Sequence, residues 1–94
     1  MPAWFYMFRL RSGRLYPGAT KNLAQRCCDH QAGRGGRTTF LDPPVSLVYQ
    51  EQFDMFSTAR HRESQIKRWS AAKKEALVSG NKTVLRRLAQ SRES

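Results

Sequence analysis

Apolar and aromatic residues crowd positions 4 to 10, return at 14 to 18, and are parted by the Ser12–Gly13 pair. Apolar runs bounded by turn residues predict two strands joined as a hairpin. Asn22 then precedes Leu23, Ala24 and Cys27, whose helical spacing predicts a helix capped by Asn22 and running to about Ala32. Gly33, Gly35 and Gly36 end it and open a basic loop. After Asp42, Pro43 and Pro44, the run VSLVYQ at 45 to 50 has the β-branched and aromatic character of a third strand. A second amphipathic pattern, Phe56, Ala59, Ile66 and Trp69, predicts a helix capped by Ser57 or Thr58 and reaching about Arg68. Ser70 caps the next, over AAKKEALV with Gly80 as its stop, and Asn81 starts a short helix through Leu88. No repeat or long linker interrupts the chain, so residues 1–94 predict one domain, with a core at about 3–78 and an extra C-terminal helix at about 81–90.

Loop length decides what the hairpin does with its two tyrosines, because side chains alternate along a strand and cross-strand partners share a face. A two-residue loop, Ser12–Gly13, sets Tyr16 opposite Arg9 and turns Tyr6 to the other side of the sheet. A three-residue loop, Arg11–Ser12–Gly13 with Gly13 left-handed, pairs Leu10 with Arg14 and brings both tyrosines to one face. In that register Tyr6 lies opposite Gly18, whose missing side chain leaves room for the ring.

Two helices carry charge on the side their apolar residues mark as inward. On the first, Arg26 and His30 fall beside Leu23 and Cys27. A guanidinium placed there either snorkels to the edge or meets an anion. On the helix after the third strand, Glu63 stands in the middle of the apolar stripe. It is placed either to pair with Arg26 as a structural ion pair or to hold a divalent cation while the arginine meets phosphate.

Charge narrows the choice of partner. The chain has 17 Lys and Arg against 7 Asp and Glu, a formal charge of +10 spread along its length, with 39% apolar and 11% aromatic residues. That balance describes a folded basic domain suited to a polyanion and excludes a disordered basic arm. No apolar run approaches the ~18 residues of a membrane span, and the opening MPAWFYMFRLRS is too interrupted for a signal peptide, so a cytoplasmic protein is expected. Cys27 and Cys28 are neighbours with no companion ligands, which points to reduced thiols.

These residues resemble the GIY-YIG nucleases, in particular the small stand-alone bacterial members, over about positions 3 to 78. Trp4, Phe5 and Tyr6 stand where that family has its first triplet, and Tyr16, Pro17 and Gly18 where it has its second. Arg26 and His30 match the family's helix arginine and the histidine four residues on, Glu63 in ARHRESQIKRW matches its glutamate, and VSLVYQEQF looks like its third strand. The resemblance implies an α/β (α+β) fold, a three-stranded antiparallel sheet flanked by helices. It also implies cleavage of DNA, branched or damaged DNA included, with one divalent cation, Mg2+ or Mn2+. Carried over, Glu63 binds the metal, Arg26 steadies the scissile phosphate, Tyr6 activates or positions the attacking water, Tyr16 orients water or phosphate, and His30 assists proton transfer. The general base stays open among Tyr6, Tyr16 and His30, since a phenol of pKa ~10 needs a nearby cation to favour phenolate.

The chain departs from the family at Pro17, which lacks a strand N–H and suggests a locally irregular strand. Trp4 and Phe5 replace smaller residues, and no asparagine follows the glutamate where some members carry one. DNA contact is expected through backbone charge: Arg34 and Arg37 in the glycine loop, then Lys67 and Arg68, with Arg60, Arg62, Lys73 and Lys74 on the same later helices. No base-reading motif is visible, which favours a structure-selective or weakly sequence-specific enzyme. The reading from another class is a non-catalytic basic nucleic-acid-binding module on a degenerate nuclease fold, in which Glu63 and Arg26 only pair.

Overall fold

The computed structural model describes residues 2–31 and 41–80, the side chain of His30 excepted. Strand β1 (Ala3–Leu10) turns into β2 (Leu15–Thr20), helix α1 (Leu23–Gln31) follows, and β3 (Pro44–Phe53) leads to helices α2 (Phe56–Lys67) and α3 (Ala71–Ser79). The three strands form an antiparallel sheet in the order β2-β1-β3, the α+β arrangement expected. The predicted helix at 81–90 and the glycine loop with Arg34 and Arg37 lie outside the described residues.

The hairpin closes with the three-residue loop. Leu10 donates to the Arg14 carbonyl at 2.9 Å, Gly13 donates back to the Leu10 carbonyl at 2.9 Å, and Gly13 takes a φ of 95°. Only glycine adopts that angle without steric cost. The register is therefore Tyr6 opposite Gly18 and Phe8 opposite Tyr16. Asp42 anchors the turn from the far side of the sheet, accepting from the Ser12 backbone at 2.9 Å and the Ser12 hydroxyl at 2.6 Å.

Pro17 does not disturb β2, which pairs with β1 from Leu15 to Thr20 without a shift in register. The reason is parity. Antiparallel pairs alternate between hydrogen-bonded and non-hydrogen-bonded positions. Counting from the bonded Leu10–Arg14 pair, Pro17 opposite Met7 falls on a non-bonded position. Its missing N–H would have pointed to the open edge, where proline also discourages pairing with another chain. The irregularities lie on the other side of β1, as shifts of β3 between Met7 and Phe8 and between Arg9 and Leu10.

Because β1 is central, both its faces are covered. Phe5 and Met7 pack with Ile66 of α2, joined by Trp69, Leu77 and Val78, while Tyr6, Phe8 and Leu10 pack with Tyr16, Leu23 and Cys27. Helix α1 thus seals one face, and α2 with α3 seals the other. Asn22 caps α1, accepting from Gln25 at 3.0 Å, and Ser70 caps α3, accepting from Lys73 at 3.2 Å; Gly80 closes α3 in the left-handed region at φ 74°. The start of α2 differs from expectation. Met55 occupies the N-cap without a side-chain bond, and neither Ser57 nor Thr58 serves. Tertiary contact replaces the cap: the Phe56 ring lies 5.2 Å below the Lys21 ammonium and 5.8 Å from the Arg60 guanidinium. Ala24, read as part of the apolar stripe of α1, is exposed. No described helix is long and apolar enough to cross a membrane.

Candidate functional site

The site is built on the hairpin register. Tyr6, at the middle of the central strand, is 1% exposed, and its ring lies across the backbone of Gly18. A Cβ at Gly18 would stand 2.4 Å from the Tyr6 hydroxyl and 2.5 Å from Cζ, so no larger residue fits without moving the ring. Phe8 holds the ring from the side at a centroid distance of 5.0 Å, and Tyr16 packs against the same cluster.

Helix α1 brings Arg26 onto this ring. Its Nε donates to the Tyr6 hydroxyl at 3.1 Å. The inward guanidinium thus neither snorkels away nor meets a carboxylate; a neutral hydroxyl receives it. Among the described residues only Nε is engaged, which leaves the two amino groups of the guanidinium fork for a planar anion such as a phosphate edge. Burial pushes the Tyr6 phenol above its ordinary value, the Arg26 hydrogen bond and charge pull it down, and the charges of Tyr16 and Glu63 raise it further, for a net rise. At this phenol burial outweighs the Arg26 cation.

Glu63 lies within electrostatic reach of that phenol, and its side chain is 19% exposed. It does not pair with Arg26. Its partners are the outward Arg60 at 3.7 Å and Lys67 at 3.5 Å, both on its own helix and both long. The structural Glu63–Arg26 ion pair is thereby overturned, and the carboxylate stays at the mouth of the site.

The remaining predicted residues divide. Tyr16 and Glu63 both lie within electrostatic reach of Tyr6, and Tyr16 within reach of Arg26 as well. His30 follows Arg26 by one helical turn on α1, and its side chain lies outside the described residues, as do Arg34 and Arg37. Lys67 reaches back to Glu63, and Arg68 is exposed beyond the end of α2.

Two cations expected on the solvent face are taken up internally. Arg62 binds the Glu51 carboxylate through Nε at 2.9 Å and Nη2 at 3.1 Å, and the Tyr49 hydroxyl donates to the same carboxylate. Burial alone would raise Glu51, but the bonds from Arg62 and Tyr49 outweigh it and hold its pKa below the usual carboxylate value. Tyr49 is pushed up to about 12, by burial first and then by its bond to that carboxylate. Lys73 lies over the Trp69 ring and is buried. The Glu51–Arg62 network escaped the sequence reading because it joins β3 to α2 through residues with no local pattern.

A divalent cation of the magnesium type keeps several waters and uses one or two carboxylates together with substrate phosphates, without a dedicated protein cage. The donor set here fits that mode: the Glu63 carboxylate, with no group of three or more His, Cys, Asp or Glu among the described residues.

Comparison with known proteins agrees with this geometry. Residues 2–76 match the model of the GIY-YIG catalytic domain. A UPF0213 protein of Staphylococcus saprophyticus is 41% identical over 76 residues, covering 81% of this chain and 93% of its own. A UPF0213 protein of Natronomonas pharaonis is 42% identical over 76 residues, covering 81% and 89%. The solution NMR structure of a UPF0213 protein from Bacillus halodurans superposes with a TM-score of 0.56 at 31% identity, covering 86% of each chain. With the family model matched over residues 2–76, the chain belongs to the GIY-YIG catalytic-domain family.

Proposed function

We propose that this protein is a divalent-cation-dependent DNA endonuclease that hydrolyses phosphodiester bonds with structural selectivity or weak sequence preference. The observation that carries the reading is the Arg26 guanidinium docked at 3.1 Å on the Tyr6 hydroxyl, with Glu63 beside them on an accessible rim.

Glu63 would hold Mg2+ or Mn2+ through its carboxylate. Bound there, the cation supplies Lewis-acid stabilisation of the charge that develops on the phosphate. Arg26 presents its unused amino groups to the non-bridging oxygens, a contact that strengthens as they gain charge. Tyr6, neutral and fixed between Gly18 and Arg26, orients the attacking water by hydrogen bonding. Its raised pKa argues against phenolate as the base, which leaves that role to Tyr16 or His30. In the hydrolysis the water oxygen bonds to phosphorus, the P–O bond to the leaving sugar breaks, the water's proton passes to the base, and the departing sugar oxygen takes up a proton from solvent.

A second reading, a nucleic-acid-binding module without catalysis, is favoured by the two cations that flank Glu63 at 3.5 and 3.7 Å. Labelled duplex, single-stranded and branched DNA, incubated with the protein in magnesium, manganese or chelator, separates the two. Products that need the metal support the nuclease. Salt-sensitive binding without products in any metal supports the module.

A further inference from the structure

We propose a second phosphate-binding site at the corner where α2 meets α3, which takes the backbone of a nucleic-acid strand on the far side of α2 from Glu63. The inference rests on the nucleic-acid reading above but not on catalysis.

Lys73 carries the argument. It is 6% exposed, and its ammonium lies 4.3 Å from the centroid of Trp69. Among the described residues this ring is its only partner; no carboxylate meets it. Covering an ammonium without a counter-charge is unfavourable, and an aromatic face offsets only part of that cost. The residue lines a groove of about 500 Å³ with His61, Ser64, Gln65, Arg68 and Trp69. None of the six is acidic, and each brings a donor. The Gln65 carbonyl oxygen is committed to Arg62 at 3.0 Å, which turns its amide N–H groups toward other partners. Lysine, arginine and hydroxyl donors lining one groove suit the oxygens of a phosphodiester, with the Trp69 ring holding the Lys73 ammonium and, at 5.6 Å, the Arg62 guanidinium beside it.

Helical geometry separates this groove from the catalytic face. His61, Ser64, Gln65 and Arg68 follow the i, i+3, i+4, i+7 spacing and form one stripe of α2. At ~100° per residue Glu63 is turned about 150° from the middle of that stripe. A strand bound at both places must pass around the helix. A branched or sharply bent DNA does so; a short straight duplex does not.

The test is fluorescence anisotropy of a labelled three-way junction and a labelled short linear duplex, titrated in chelator across salt concentrations. Wild type is compared with Lys73→Met, which keeps the apolar stem, and with Arg68→Gln. Each variant is expected to bind the junction several-fold more weakly with a salt slope smaller by about one, and to bind the linear duplex nearly as wild type does. Thermal melting of Lys73→Met is expected at or above the wild-type temperature, because an ammonium without counter-charge has been removed. Junction binding by both variants that superposes on wild type at every salt would overturn the proposal. So would a tryptophan fluorescence response to inorganic phosphate that Lys73→Met abolishes while junction affinity stays unchanged, since the groove would then hold free phosphate. Binding in chelator is independent of cleavage, so failure here leaves the nuclease reading standing.

Discussion

Tyr6 and Gly18 face each other across the hairpin so closely that a single methyl group on Gly18 would come within 2.4 Å of the tyrosine hydroxyl. The constraint is sterically one-sided: Tyr6 is locked between Phe8 and the core, so the glycine is the position that must stay small. Gly18→Ala is expected to destabilise the fold by about 1–3 kcal/mol through overpacking. It should also swing the hydroxyl away from Arg26 and reduce cleavage. Urea unfolding read beside a cleavage assay checks both effects.

Tyr6→Phe separates the hydroxyl from the packing. The ring stays, Arg26 loses its acceptor, and the stability cost is expected at about 0.5–1.5 kcal/mol. Cleavage should fall far more than this structural cost suggests if the hydroxyl orients the attacking water as proposed. Matching thermal melts with cleavage rates for the variant tests the contrast.

Arg26→Lys preserves charge but not shape. The Nε–H donor to Tyr6 and the planar fork both disappear, so a loss of about 10²- to 10³-fold in cleavage is expected, with metal dependence retained. Near-wild-type turnover would show that only positive charge is needed there.

Two of the ion pairs outside the site, Arg9–Glu75 and Arg62–Glu51, should differ in weight. Arg9 and Glu75 make a two-pronged contact, yet their side chains are 29% and 48% exposed, so Glu75→Ala is expected to cost under about 1 kcal/mol. Arg62→Ala removes the partner of a half-buried carboxylate that also holds Tyr49, and about 1–3 kcal/mol is expected. Denaturant midpoints of the two variants, side by side, check the order.

Alkali should unfold the protein through its tyrosines. Tyr6 and Tyr49 both have folded pKa values above the ordinary 10, Tyr49 at about 12, so above pH 10 the native state retains protons that the unfolded chain releases. Stability then falls as pH rises from about 10 toward 12 and is flat below that window on this account. Urea midpoints from pH 8 to 11.5 are expected to show the decline, and Tyr49→Phe should make it shallower.

Much of this was legible from the chain because local chemistry and tertiary structure agree at those places. Asn22, Ser70 and Gly80 do what their side chains, or the lack of one, favour. The hairpin was legible only as a pair of registers, since Ser12–Gly13 suits two loop lengths and the choice depends on how Leu10 and Arg14 close. Pro17 looked disruptive because a sequence does not display which strand edge a missing N–H faces. At the start of α2, Met55 takes the N-cap with no side-chain bond while the Phe56 ring meets Lys21 and Arg60, contacts that the sequence does not display. Lys73 read as one of the DNA-contacting cations of the later helices because nothing in the sequence displays its burial against the Trp69 ring. At the site itself, the residue types and their order were visible; that Arg26 would meet a hydroxyl, and Glu63 only its own helix's cations, required the packed structure.

The most direct test of the central claim compares wild type with Glu63→Ala in cleavage, DNA binding and thermal unfolding under the same conditions. Among the described residues the ion-pair partners of Glu63 are the outward Arg60 and Lys67, so its removal is expected to leave the melting temperature and DNA affinity nearly unchanged while metal-dependent cleavage disappears. Cleavage that persists in Glu63→Ala at the wild-type rate would contradict the assignment of the metal to this carboxylate, and so would a variant that loses activity only because it no longer folds.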